Sequence, residues 1–357
     1  VFCVTPFFQF EPKGEDLKED KIFSRQEQKI TDGKYTLFFE TNGEVKDFSE
    51  KKETYFYRYD ECDGRRENGT ASAVYQMKKQ VKPGEETDLT LIYSLGSQIN
   101  MEAKSLFDKM KEEQIHYQEK LIKTSGLRNE LAQILVCSAD KFLSKRESTD
   151  GLTILAGFPF FEDWGRDTMI ALPGICISTG RFENAKSIMR TFAFYEKDGL
   201  MPNLFPEGGN KPLYNTVDAA LLFINCVWLY YEKIQEIEFV EEMYPVMQRI
   251  ISGYEKGTHF NIHMEEDGLI SAGTGLDQVT WMDVRVGEIL PTPRHGKPVE
   301  INAYWYNALC IMQKFSEVLK KNEEQKYREL AQKVKESFAR EFWMEEKHCL
   351  KDVISET

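Results

Sequence analysis

The stretch "YSLGSQINMEAKSLFDKMKEEQ" (residues 93–114) contains the point at which the pattern of the sequence changes. Before it, short apolar runs alternate with Gly, Asn and Pro turn residues, which is typical of β-strands. After about Asn100 the apolar residues recur at helical spacing. The sequence therefore predicts a fold that is mainly α with an N-terminal β domain. We expect a β-sandwich over residues 1–98, a linker helix over 99–124 and a helical domain over 125–357.

The N-terminal part carries one strong hairpin signal. In "YTLFFETNGEVKDF" (residues 35–48), Asn42-Gly43 lies between two apolar-rich runs, and a type I′ turn needs positive φ at both of its central residues. Further short strands follow at similar spacing, which favours a sandwich. Since the chain opens inside an apolar run, we expect the sandwich to begin before Val1.

The remainder of the chain is dominated by helical patterns. They predict helices near residues 126–145, 166–178, 182–197, 216–233, 236–256, 301–321 and 323–341. Because no strong strand pattern separates them, they indicate an all-α layered or toroidal domain. Two loops are long, at residues 204–216 and 271–300, and loops of this length in a compact domain are usually functional or disordered. At one end of a toroid they would surround a central cavity.

The charge balance and the missing motifs exclude several classes of function. Lys and Arg number 46 against 59 Asp and Glu, a net charge of −13, which argues against a nucleic-acid partner because such binding depends on Lys and Arg contacts to phosphates. No apolar run approaches the ~18–20 residues needed to cross a bilayer, and no signal peptide is visible. Phosphate-binding glycine loops and serine-nucleophile motifs are also missing, and the histidines are scattered. We therefore expect no metal and no cofactor.

The cysteines indicate a reducing compartment. There are seven, widely scattered and without a CxxC pair, so neither a zinc site nor a redox motif is suggested. Several lie inside apolar helical patterns, where free cysteine behaves as a small hydrophobe. Because disulfides are rare in reducing compartments, we expect a cytoplasmic location.

The stretch "FEDWGRDT" (residues 161–168) places three acids around Trp164 and Arg166 where a helical pattern begins. One interpretation is helix capping, since acids near a helix N-terminus are favoured by the helix dipole. It does not account for the tryptophan in the loop or for the adjacent Arg166 and Asp167. A guanidinium fork and a carboxylate side by side suit a site that holds several hydroxyls of one sugar ring.

The stretch "QVTWMDVRVGE" (residues 278–288) is the second candidate, with Trp281 two residues before Asp283. An aromatic face packs on the apolar face of a pyranose, and burial beside such a ring raises the pKa of a carboxyl group. Such an acid donates a proton to a glycosidic oxygen near neutral pH. The alternative is a turn aspartate next to a core tryptophan.

Three further polar residues, Asp218, Arg294 and Glu300, lie where loops meet predicted helices. Each of them, taken alone, is compatible with a purely structural role.

Taken in order, six segments resemble the amylo-α-1,6-glucosidase family of glycogen-debranching enzymes, in its bacterial and archaeal form. They read "GFPFFEDWGRDT", "STGRFENAKSIMRTFA", "DGLMPNLFPEGG", "YNTVDA", "TWMDVRVGE" and "TPRHGKPVEINAYWYNAL". The resemblance as a whole covers the chain from about Gly157 to the C-terminus. The resemblance implies an (α/α)6 barrel, present here only in part, with its active site at one mouth. It also implies hydrolysis of the α-1,6-linked glucose at a branch point of a glycogen or amylopectin limit dextrin, with inversion and without a cofactor.

The resemblance also implies roles for individual residues. Asp283 matches the general acid of the family. Trp164, Arg166 and Asp167 match the segment that lines the pocket for the terminal glucose. The further family positions near that pocket are matched by Asp218, Trp281, Arg294 and Glu300.

One departure from the family pattern concerns the second carboxylate that an inverting glycosidase needs, ~6.5–9.5 Å from the acid. In the family this glutamate lies beyond the position that matches Thr357, and the predicted helices are too few to close a ring of twelve. We therefore expect a chain incomplete at both ends and inactive by itself. Two alternatives stay open: a glucoamylase-like exo-α-1,4-glucosidase, and a non-catalytic α-glucan-binding protein.

Overall fold

The computed structural model describes residues 1–11, 15–62, 66–157, 161–205 and 211–355. It divides the chain into two compact units, Val1–Glu119 and Lys120–Thr357. Parts of two quoted segments, residues 158–160 and 206–210, lie outside the described residues. Within the described part, no helix is both long enough and apolar enough to cross a bilayer.

The first unit consists mainly of two antiparallel sheets. Its strands are β1 (Phe2–Val4), β2 (Ser24–Gln26), β3 (Lys29–Thr31), β4 (Thr36–Thr41), β5 (Glu44–Phe56), β6 (Asn68–Lys79) and β7 (Leu91–Leu95). A short helix, α1 (Arg58–Cys62), follows β5, and a longer one, α2 (Ala103–Ser125), contains the boundary between the units. The strand orders are β1-β6-β5 in one sheet and β2-β3-β4-β7 in the other.

The two sheets share one hydrophobic core. Ile30 and Phe39 from the second sheet are buried with Tyr75 and Met77 from the first. The rings of Phe39 and Tyr75 stack with their centroids 4.7 Å apart, and the Tyr75 hydroxyl lies 2.8 Å from that of Tyr93. The sheets therefore pack face to face as a sandwich, as two one-sided apolar sheets must.

The predicted hairpin at Asn42-Gly43 is wrong, because β4 and β5 belong to different sheets. Both edges of β4 are already paired, one with β3 and one with β7, so β5 has no edge to join. The Asn42 side chain instead accepts a hydrogen bond from the Thr90 amide (3.0 Å) and donates one to the Asp88 carbonyl (3.2 Å). The turn is thus a crossing from one sheet to the other, fixed by its asparagine.

The second unit is largely helical. Its helices are α3 (Glu130–Asp140), α4 (Gly165–Leu172), α5 (Phe182–Phe194), α6 (Ala219–Ile234), α7 (Ile237–Lys256), α8 (Val299–Val318) and α9 (Glu324–Phe342), with a π-helical turn over Pro173–Ile177 after α4. The short strands are β8 (Leu143–Arg146), β9 (Gly151–Ile154), β10 (His263–Met264), β11 (Ile270–Ser271), β12 (Lys297–Pro298), β13 (Trp343–Met344), β14 (Cys349–Leu350) and β15 (Val353–Ile354). Most predicted helices are confirmed to within a few residues.

The helix predicted over 126–145 is wrong in its last part. The helix ends at Asp140, and the chain then forms a hairpin of β8 and β9. Residues 143–146 pair with β9 instead of continuing the helix, and the turn between the two strands ends at Asp150, which has a φ of 50°.

Helix α6 is the centre of the second unit. It is buried on nearly all sides over its first three turns, as expected for a helix that is apolar all round, and α4, α5, α7 and α8 pack against it. The described helices form no closed barrel, because a ring of twelve needs more helices than α3–α9 supply. The coarser prediction, a β-rich first part followed by a helical part, is confirmed.

We expect Asn42→Ala to loosen the crossing between the two sheets, because it removes both side-chain hydrogen bonds to the segment before β7. The loss is about 1–2 kcal/mol, which makes amide exchange in a peptide spanning Thr90 roughly 5–30-fold faster. The matched control is Asn68→Ala, at an exposed asparagine of β6, in the sheet that does not contain β7. Equal exchange rates in the two variants contradict the assigned role of Asn42.

Candidate active site

One arginine joins three segments of the second unit. Arg166 is the second residue of α4, Asp218 is the N-cap residue of α6, and Asp283 lies in the long loop before α8. The Arg166 Nε donates to Asp218 Oδ2, and its Nη1 lies 3.4 Å from Asp283 Oδ2. Three residues that are far apart in the sequence thus meet where α4 and α6 begin.

A glycine places the arginine. The Gly165 amide donates to the Asn203 carbonyl (2.8 Å), and a Cβ at Gly165 would overlap the carbonyl oxygen of Pro202. Only glycine allows so close an approach of two backbones. Trp164, the N-cap residue of α4, forms an isolated bridge with Leu204 and makes no side-chain cap.

Asp218 is held in a buried position by its neighbours. The Val217 amide donates to the Val279 carbonyl (2.9 Å), and the buried Tyr254 hydroxyl donates to the Val217 carbonyl (2.7 Å). Burial raises the pKa of Asp218, while the guanidinium of Arg166 acts in the opposite direction. The pKa of Arg166 is in turn raised by its two carboxylate partners against the effect of burial.

Two polar atoms of this pair have no hydrogen-bond partner within the described residues. They are Arg166 Nη2, a donor, and Asp218 Oδ1, an acceptor, and both are buried. Because an unpaired buried polar atom is costly, this arrangement suits a ligand that offers acceptors and donors side by side. Hydroxyl groups do both.

Asp283 is placed differently from the expected setting. The sequence suggested a desolvated carboxyl beside an aromatic ring, but this side chain is 41% exposed and touches the Arg166 guanidinium. The side-chain amide of Gln278 donates to the Asp283 backbone carbonyl and so fixes the backbone at this point. Trp281 is half-exposed nearby in the loop.

A second ion cluster lies at the other end of the same loop. Arg294, buried to 2% exposure of its side chain, is paired with Glu300 in the first turn of α8 and with Asp352. Its guanidinium carbon lies 5.8 Å from the centroid of the Trp281 ring. The predicted residues Trp281, Arg294 and Glu300 are therefore neighbours.

Two residues near these clusters were not identified as candidates from the sequence. Asp352 precedes a two-residue strand. No local sequence pattern indicates that its partner is Arg294, 58 residues earlier in the chain. Tyr304 is half-buried on α8, and its pKa is raised by burial and then by the charges of Asp218 and Glu300. Its spacing of four from Glu300 was the available signal, since such residues share a helix face.

The aspartates of "FEDWGRDT" lie in different environments. Asp163 is buried, forms an ion pair with Arg146 and accepts a hydrogen bond from Thr153 (2.8 Å), so it ties α4's entry to the β8–β9 hairpin. Asp167 is exposed in the first turn of α4. Among those residues, no group of three or more metal-ligating side chains is found.

Comparisons with known proteins identify relatives for this part of the chain. Residues 137–357 match a family model described as amylo-alpha-1,6-glucosidase. The glycogen debranching enzyme of Saccharomyces cerevisiae is 30% identical over 244 residues, a match that spans 50% of this chain and 16% of that enzyme.

Two solved structures match the chain at lower sequence identity. A GH78 family rhamnosidase of Bacillus sp. GL1 is 10% identical with a TM-score of 0.49, covering 93% of this chain and 34% of that one. A rhamnosidase from Klebsiella oxytoca with rhamnose bound is 13% identical with a TM-score of 0.36, covering 50% and 32%.

We expect Gly165→Ala to destabilise the second unit. The added methyl group collides with the Pro202 carbonyl and breaks the hydrogen bond from the residue-165 amide to the Asn203 carbonyl. Overpacking of this kind costs about 1–3 kcal/mol, which a thermal unfolding experiment followed by tryptophan fluorescence detects as a lower Tm. Gly174→Ala is the control, since a Cβ there meets nothing within 4 Å. A variant at Gly165 that is as stable as this control contradicts the assigned contact.

Proposed function

The chain belongs to the amylo-α-1,6-glucosidase family, and on this premise we propose that it removes α-1,6-linked glucose from the branch points of glycogen-type limit dextrins by hydrolysis with inversion. Family membership and the yeast relative support a glycosidase-type function. The finer proposal is carried by one observation, the arginine shared between a buried and a half-exposed carboxylate. That is an arrangement for holding a sugar ring beside an acid.

The Arg166–Asp218 pair binds the terminal glucose. Its unpaired donor, Arg166 Nη2, donates to one ring hydroxyl, and its unpaired acceptor, Asp218 Oδ1, accepts from another. Trp164 and Asp167 complete the wall of this pocket, and the exposed face of Trp281 packs on the apolar face of a pyranose. The charge-assisted bonds of the pair fix the orientation of the ring more firmly than neutral ones would.

Asp283 acts as the general acid. Its carboxyl donates a proton to the glycosidic oxygen as the bond from that oxygen to the anomeric carbon breaks, while water attacks the opposite face of the ring.

The water needs a general base, which we place outside residues 1–357. The carboxylates of Asp218 and Glu300 are each bound by an arginine, Asp218 by Arg166 and Glu300 by Arg294, so neither is free to face the attacking water. On this proposal the isolated chain is inactive, and activity requires the protein that carries this sequence together with its second carboxylate. We also propose a cytoplasmic location. All seven cysteines are free, as is usual for proteins of a reducing compartment.

We expect Asp283→Asn, in the protein that carries this sequence, to lower glucose release from a branched limit dextrin by about 10²–10⁴-fold, the usual contribution of a general acid. Hydrolysis of α-D-glucosyl fluoride should fall far less, because fluoride leaves without a proton donor. Glu288→Gln, at an exposed acid of the same loop, is the matched control and should keep both activities.

Other outcomes favour the alternatives. Glucose release from linear maltooligosaccharides that equals or exceeds release from the limit dextrin indicates a glucoamylase-like α-1,4-glucosidase. Binding of limit dextrin without turnover, unchanged by Asp283→Asn, indicates a non-catalytic α-glucan-binding protein.

A further inference from the structure

We propose that Asp352 is a positioning residue that acts through Arg294 on the loop bearing Trp281 and Asp283. The inference rests on the proposed function, since it assigns Asp352 to the acid side of that same site. Its basis is a set of contacts that link a strand near the end of the described chain to the loop before α8.

The first link is an ion pair with two parallel hydrogen bonds. Arg294 Nε and Nη2 each lie 2.9 Å from a different carboxylate oxygen of Asp352, and Nη2 also donates to the Asp352 carbonyl (3.1 Å). The remaining donors of the guanidinium face Glu300. A buried guanidinium held in this way has one orientation, because the fork matches both carboxylates only in one plane.

The second link is made by the backbone. Strand β15, directly after Asp352, pairs with β12, and the Val299 amide donates to the Asp352 carbonyl (3.0 Å). Gly296 has a φ of 97°, and a Cβ there would overlap the carbonyl of Ile354. The strand and the end of the loop are therefore in direct contact along their main chains.

The third link leads to the proposed acid. The Arg294 guanidinium faces the ring of Trp281, a contact that is attractive for a cation, and Trp281 precedes Asp283 by two residues. The loop between Asp283 and Arg294 exposes Val284, Val286 and Ile289, so it has few packing contacts of its own. Its geometry depends on its two ends, and Asp352 holds one of them.

Replacing the Asp352 side chain keeps the backbone pairing at the end of the loop but removes one of the two carboxylates that orient the Arg294 guanidinium. Because the Asp352 side chain is 66% exposed, its truncation opens no cavity. The backbone pairing of β12 with β15 does not involve the side chain, so the fold has no reason to be lost. The expected defect is a misplaced Trp281 and, with it, a misplaced acid.

The kinetic test uses Asp352→Ala in the protein that carries this sequence, with Glu346→Gln in the exposed turn after β13 as the control. A displacement of about 1 Å costs roughly 10²-fold, so kcat on limit dextrin should fall about 10- to 100-fold. The kcat for α-D-glucosyl fluoride, whose leaving group needs no acid, should change less than threefold, whereas KM should rise for both substrates because both contain the sugar on which Trp281 packs. Asp352→Glu, which keeps the carboxylate, should recover part of the loss. An equal loss on both substrates overturns the inference, since a general structural defect does not distinguish them.

A second measurement needs no activity. In protein produced with 5-fluorotryptophan, the fluorine resonance of Trp281, assigned by Trp281→Phe, should move in Asp352→Ala and stay in place in Glu346→Gln. The resonances of Trp228 and Trp305 should not move in either. A Trp281 resonance unchanged in Asp352→Ala overturns the inference. A shifted resonance in a protein that releases no glucose from any substrate overturns the proposed function instead and leaves the contact standing.

Discussion

A single buried guanidinium shared by two carboxylates is the constraint on which the candidate site depends. The Arg166 side chain is 12% exposed, and a cation so far from water needs a partner of opposite charge to offset its desolvation. Asp218 supplies that partner from another helix, and Asp283 approaches the same group from the loop. The arginine thus fixes the relation between α4, α6 and the loop, and removal of its charge would leave Asp218 as a buried carboxylate without compensation.

The positions of these charges depend on two places where main chains touch. Gly165 allows the loop around Pro202 to lie against the start of α4, and Gly296 allows β15 to lie against the end of the long loop. In both cases the glycine stands within two residues of an arginine that binds carboxylates. The site is therefore built from backbone contacts first, and the ion pairs then define which side chains face one another.

The sequence predicted local features well and long-range pairings poorly. Helices such as α5 and α7 were located because their apolar residues repeat with a helical period, which is a local property. The hairpin at Asn42-Gly43 failed because turn preference cannot reveal that β7, which is distant in sequence, takes the edge of β4 that β3 leaves open. Within the site, Arg166, Asp218 and Asp283 were selected as candidates, but nothing local could reveal that one guanidinium touches both acids. The same reason hid Asp352, whose partner is 58 residues away.

The crossing between the sheets of the first unit has a consequence for how that unit forms. Strand β1 pairs with β6, and β4 pairs with β7, so each sheet joins residues separated by more than fifty positions in the chain. Closing such distances is slow, because chain entropy is lost before any pairing compensates for it. During synthesis, β1 therefore lacks β6 until Lys79 has emerged, and one edge of β4 stays open until Leu95 has emerged. This interval is when the nascent chain is most exposed to aggregation.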